Sequence, residues 1–110
     1  MSNTTTASGN TITITGLDAD WYLSNDLPFY KDTGLCIESI SVKLSTMDDT
    51  IRIENSADGS GGAYLMDTTY NENTDRVVEH FHGSWLFPFI DISDCSLAVA
   101  ANASVTINLK

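Results

Sequence analysis

The sequence predicts an all-β fold, an antiparallel β-sandwich of about eight strands in jelly-roll or another Greek-key order. Three observations carry that expectation. Apolar residues alternate with polar ones in short runs, and side chains with that period stand on one dry and one wet face of a strand. No stretch sustains the i, i+3, i+4, i+7 spacing of an amphipathic helix. Turn residues punctuate the chain often, and no connection leaves room for a βαβ unit.

Apart from Met1 and Ala7, residues 1–10 are Ser, Thr, Asn and Gly, and they read as a flexible polar arm, one that can order against a neighbouring subunit. Residues 11–110 then form a single β-sandwich domain, the size at which one core folds alone. Ile12 and Ile14 alternate with threonines up to Gly16. Trp21, Tyr22 and Leu23 make a short bulky strand, and Leu27-Pro28-Phe29-Tyr30 is an edge or a crossing loop, because proline cannot donate a ladder hydrogen bond. The most regular stretch follows. Ile40, Val42 and Leu44 alternate with Ser41 and Lys43, and after Met47-Asp48-Asp49, read as a hairpin loop, Ile51 and Ile53 resume around Arg52. Leu35 and Ile37 are apolar at odd positions and Ile40 and Val42 at even ones. A β-bulge near Glu38, a strand that changes sheets, or a strand starting only at Ser39 accounts equally for the flip.

Beyond Ile53, residues 55–62 hold Gly59, Gly61 and Gly62 and are a turn or mobile loop. Residues 63–67 form a strand with Tyr64 and Met66 on one face, residues 68–75 a polar surface loop, and residues 76–82 the next strand. Gly83-Ser84 reads as a turn before the apolar run from Trp85 to Ile90. Residues 96–101 and 104–109 close the chain as a hairpin, with Leu97 and Val99 facing one way and Val105, Ile107 and Leu109 alternating opposite them. The predicted core is Ile40, Val42, Leu44, Ile51, Ile53, Val105 and Ile107.

Fifteen acidic residues against five basic ones give a net charge of −10. A phosphate backbone or an anionic membrane surface is repelled by such a protein, so direct nucleic-acid and membrane binding are not expected. No signal peptide is visible in residues 1–10 and no run is long enough to span a bilayer, which suggests a cytosolic product. Cys36 and Cys95 lack a Cys-x-x-Cys spacing and read as small core or near-core residues.

Candidate chemistry is sparse. His80 and His82 share a strand face, as a metal-binding His-x-His pair would, but no third histidine or following carboxylate completes the site. Asp18/Asp20, Asp48/Asp49 and Asp91/Asp94 pair as calcium loops do, without EF-hand spacing, and aspartate also serves turns through its own backbone bonds. No Gly-x-Ser-x-Gly elbow or phosphate loop occurs. No catalytic, cofactor-binding or metal residue is assigned, no cofactor is expected, and the chain reads as a non-enzyme. Trp21, Trp85 and the tyrosines offer a sugar-stacking platform as an alternative.

The alternation from Ile40 to Leu44, the Asp49-Thr50-Ile51-Arg52-Ile53 strand, Gly62-Ala63-Tyr64, and Pro88-Phe89-Ile90 followed by Asp94 and Ser96-Leu97 resemble the small β-sandwich virion proteins of tailed bacteriophages. So does the closing Val105-Thr106-Ile107-Asn108-Leu109 strand, and the likeness is to capsid decoration, or cement, proteins in particular. It spans residues 39–110. The resemblance implies a jelly-roll-like fold, a homo-oligomer, often a trimer, and attachment to the outer face of a major capsid protein lattice. The product would be made in the host cytoplasm and end on the capsid exterior, with a tail or fibre position as the alternative.

Overall fold

The computed structural model describes residues 3–17, 19–43, 50–69, 77–93, 95 and 103–110. Among them are eight strands, β1 (Thr4–Ser8), β2 (Thr11–Thr15), β3 (Leu35–Lys43), β4 (Thr50–Asn55), β5 (Tyr64–Thr69), β6 (Val77–Leu86), β7 (Pro88–Asp91) and β8 (Ser104–Leu109). Five of them form one antiparallel sheet in the order β1-β2-β8-β3-β6, and three form a second in the order β5-β4-β7. The all-β sandwich read from the sequence is thus present. Ile12, Ile14, Ile37, Ile40, Val42, Val105 and Ile107 of the larger sheet meet Ile51, Ile53, Met66 and Ile90 of the smaller one in a single buried cluster. Each such side chain stabilises the fold by about 1.5–3 kcal/mol when fully buried. Six of the seven predicted core residues are in it, and Leu44 lies outside the described residues, as do Leu97 and Val99.

Connections between strands are where the sequence reading needs correction. Ile40–Val42 and Ile51–Ile53 do face one core, but from opposite sides, since β3 belongs to the five-stranded sheet and β4 to the three-stranded one. They are not a hairpin, and residues 47–49 lie outside the described residues. Equally, β8 has β2 on one edge and β3 on the other, so it has no free edge for a final hairpin with residues 96–101. Alternation reports which face of a strand is dry and carries nothing about which neighbour it takes.

Three local expectations also change. Of the supposed strand at residues 21–23 only Trp21 bridges, to Ile90, and Leu23–Asp26 makes one helical turn, α1, followed by a 3₁₀ turn at Pro28–Tyr30. Gly83-Ser84 is no turn between strands but part of β6, where His82 and Gly83 take positive φ values of 55° and 86°. Most consequential is the N-terminus. Instead of a flexible arm, Thr4–Ser8 is strand β1, folded back on β2 by the two-residue Gly9-Asn10 loop, with Gly9 supplying the positive φ of 59° that the turn requires. β-Branched threonines suit the strand, and two side-chain links hold it. Asn3 exchanges hydrogen bonds with the backbone of Ala19, and the Trp21 indole N–H donates to Thr5 Oγ1 at 2.9 Å.

The parity flip in β3 has a structural cause. Between Ile37 and Ser39 the strand advances two residues while β8 advances only from Leu109 to Asn108, and β6 moves from Ser84 to His80. Glu38 is therefore an extra residue with respect to β8, and β6 carries its own bulge opposite. Leu35 and Ile37 consequently face the same core as Ile40 and Val42, all four being buried.

Candidate functional site

Phe29, Tyr30, Tyr64 and Trp85 are the exposed Phe, Tyr and Trp side chains among the described residues, with Phe29 86 %, Trp85 64 % and Tyr64 60 % accessible. Leu86-Phe87-Pro88 carries the chain from β6 to β7, from one sheet to the other. Trp85 sits opposite Cys36 near the start of β3, and just before that strand the Tyr30 carbonyl accepts the Gly34 amide at 2.8 Å. Phe29 packs edge-on against Tyr30, with ring centroids 5.1 Å apart. Tyr64 opens β5 opposite Glu54, whose neighbour Asn55 accepts the Phe87 amide through Oδ1 at 2.9 Å.

The loop over residues 55–62 is tied to the β6–β7 connection, to β4 and to itself by hydrogen bonds. Ser56 donates its amide to the Phe87 carbonyl, Asn55 to Ala63, and Glu54 Oε1 accepts the Gly62 amide at 3.1 Å. Within the loop, Asp58 Oδ1 accepts the Ser60 amide at 3.0 Å and the Ser56 hydroxyl at 3.3 Å, while Ser56 Oγ accepts from Gly61. Hydrogen bonds to Ser60 first, and to Ser56, hold the Asp58 carboxyl below its ordinary value.

The other residues singled out in the sequence fall apart spatially or serve the backbone. His80 and His82 are both exposed on β6 with stacked rings 6.2 Å apart, and His82 Nδ1 lies 3.9 Å from Glu38 Oε2. Among the described residues no group of three or more His, Cys, Asp or Glu side chains is placed to hold a metal ion. Asp20 Oδ1 accepts the Ile92 amide at 2.9 Å, a tie between distant parts of the chain, and Asp91 Oδ1 accepts the Ser93 amide at 2.9 Å, which is turn chemistry; Asp18, Asp48, Asp49 and Asp94 lie outside the described residues. Neither cysteine is in a disulfide and both are half-buried, Cys36 donating to the Gly83 carbonyl and Cys95 to that of Thr50. Trp21 is fully buried between the sheets, so of the two tryptophans read as a sugar platform only Trp85 is accessible.

A second feature, a set of polar rows whose Ser39 and Ser41 are buried, was hidden in the sequence by its ordinariness. On the outer face of the five-stranded sheet, Thr6, Thr13, Thr106 and Ser41 stand side by side across four strands, and Ser8, Thr11, Asn108 and Ser39 form the next row. Strands β1, β2 and β8 contain no charged residue at all. Each alternation was legible alone, but the shared rows depend on β8 lying between β2 and β3.

No family model matches the chain, and no curated protein or solved structure matches it either. Among the described residues no helix is long and apolar enough to cross a membrane.

Proposed function

We propose that this chain is a structural protein of a tailed-phage virion that decorates the capsid, binding the outer face of the major capsid protein lattice and holding neighbouring subunits together as a homo-oligomer of three copies. The observation that supports the reading is the set of exposed aromatic side chains. The protein's own core is closed by other residues, yet Phe29, Tyr64 and Trp85 remain in water where each would gain about 1.5–3 kcal/mol by being covered. Aromatic anchors of this kind dominate protein interfaces. Linked copies on a repeating lattice multiply a modest single contact. The charge of −10 suits a part that faces away from the genome, where basic residues would be favoured. On this reading the chain acts by binding alone and catalyses nothing.

Sedimentation with purified particles tests it. The protein should pellet with capsids and appear as regular density on their outer surface, and Phe29→Ser with Trp85→Ala should release it without unfolding it. Density on the tail would move the protein to a tail or fibre role. Its absence from every particle would end both placements. The accessible Trp85 also favours a second reading, a carbohydrate-binding module that stacks a sugar ring on the indole. Saturable binding on a glycan array, lost in Trp85→Ala, would put that reading first.

A further inference from the structure

A sandwich has four open strand edges, and this one guards three of them. β6 bulges at His82 and Gly83 and carries Glu79 on its length. β5 bears Asp67, in an ion pair with Arg52 at 3.7 Å. β7 is four residues long, begins with Pro88, ends with Asp91, and has Trp21 bridged to Ile90. Bulges, charges, proline and short length are the devices by which edges avoid pairing with other chains. The fourth edge, β1, has none of them. Its sequence is Thr-Thr-Thr-Ala-Ser, it is regular along its whole pairing with β2, and no described strand lies on its other side.

Which backbone groups face outward follows from the turn. Ser8 and Thr11 close the two-residue Gly9-Asn10 loop and so form a hydrogen-bonded pair, which makes Thr6 and Thr4 the next residues bonded to β2. Thr5 and Ala7 therefore aim their N–H and C=O groups away from the sheet. This pattern is self-complementary. If a second β1 runs antiparallel beside the first with the two-fold axis at Thr6, Thr5 faces Ala7 of the other copy and Ala7 faces its Thr5, each pair exchanging both hydrogen bonds. The two Thr6 side chains meet at the axis on the outer face, a favourable cross-strand pair.

Charge selects the same place. Two copies at −10 repel, and only an uncharged surface lets them close without setting carboxylates against each other. Between Asn3 and Leu17 all residues of β1 and β2 are uncharged, and β8 behind them is too. Charges farther than about 8 Å from the contact are largely screened at physiological salt.

We infer that β1 is an interface for a second copy of this chain, joining the two five-stranded sheets into one continuous ten-stranded sheet across a two-fold axis. The contact is independent of where the protein acts and adds to any three-fold association. A protein using β1 alone is a dimer, and one using both contacts is a closed assembly of six.

Light scattering coupled to size exclusion on the full chain tests the inference with two variants that spare the fold. Ala7→Pro removes an outward N–H at an edge position that tolerates proline. Thr6→Lys sets like charges directly opposite each other at the axis while leaving β2 untouched. Each variant is expected to have half the copy number of the wild type with unchanged circular dichroism. The wild-type association should strengthen with added salt as like-charge repulsion is screened. Hydrogen exchange at the Thr5 and Ala7 amides should accelerate in Thr6→Lys. A wild-type monomer or trimer, or variants that keep the wild-type copy number, would overturn the pairing. A trimer would do so while leaving the capsid reading intact. Should both variants lose their fold, exchange in the wild type decides: Thr5 and Ala7 amides as unprotected at high protein concentration as at low concentration also overturn it.

Discussion

Replacing Thr5 by Val separates a docked N-terminal strand from a loose arm. Trp21 is completely buried, and its indole N–H donates to Thr5 Oγ1 at 2.9 Å. Valine preserves the shape and the strand preference of threonine and removes only the acceptor. A buried donor without a partner costs about 1–3 kcal/mol, more than a hydrogen bond contributes in net terms, because its hydration is lost and nothing replaces it. Trp21→Phe removes the donor and opens a cavity, a cost of its own. Once the donor is gone, Thr5→Val has nothing left to strand. The double variant should therefore be more stable than the sum of the single losses predicts, by a coupling of about 1–2 kcal/mol. Urea unfolding followed by circular dichroism reads this directly. With a slope of about 1.5 kcal/mol per M, Thr5→Val should lower the midpoint by roughly 1–2 M. A midpoint equal to that of the wild type, or strict additivity with Trp21→Phe, would refute the reasoning and return residues 1–10 to a flexible arm.

Val42 is buried at the centre of β3, so Val42→Asp should abolish the cooperative unfolding transition, because an unpaired carboxylate cannot be accommodated there; a folded variant would show the core face to be misassigned. At Gly34, with φ of 74°, an added Cβ would lie 2.7 Å from the Leu86 carbonyl oxygen, so Gly34→Ala should lose at least about 2 kcal/mol in thermal or urea unfolding, and Ala at the open Gly9 distinctly less. The Asp58 carboxyl should titrate below 3.8 by NMR because Ser60 and Ser56 hydrogen-bond its charged form. A folded value below the unfolded one means that its contribution to the loop is present above pH 3.8 and is lost as pH falls through the folded value. Ser60→Ala, which removes the Ser60 hydroxyl bond and keeps the amide one, should bring the titration part of the way back toward 3.8, and an unmoved midpoint would show that this hydroxyl does not bond the carboxyl in solution.

The dry faces were legible in the sequence because strand alternation is local chemistry. Ile40, Val42, Ile51, Ile53, Val105 and Ile107 all entered the core as the pattern implied, and the parity flip at Glu38 is a bulge, one of the three causes the pattern left open. Partners were not legible. β8 between β2 and β3, and β4 in the other sheet, are choices between strands of similar pattern, settled by connections far apart in sequence. The arm misled for a related reason. Thr-Thr-Thr-Ala-Ser has no large apolar residue to signal a strand, and its place depends on pairing with β2 and on a hydrogen bond to a tryptophan sixteen residues away. The exposed aromatics were hidden similarly, since Trp21 and Trp85 look alike in one dimension and differ only in that one of them is enclosed.

Glu38 gives β3 an unusual tolerance to a change in length. Removing it would bring Leu35, Ile37, Ile40 and Val42 into one unbroken alternation and let Ile37 and Ser39 follow Leu109 and Asn108 step for step, leaving only β6 to absorb the mismatch. Removing Ser41 instead would turn Val42 toward solvent, because a slip of one residue exchanges the faces of everything beyond it. The strand thus has one codon whose in-frame loss spares the interior, set three positions from one whose loss inverts it.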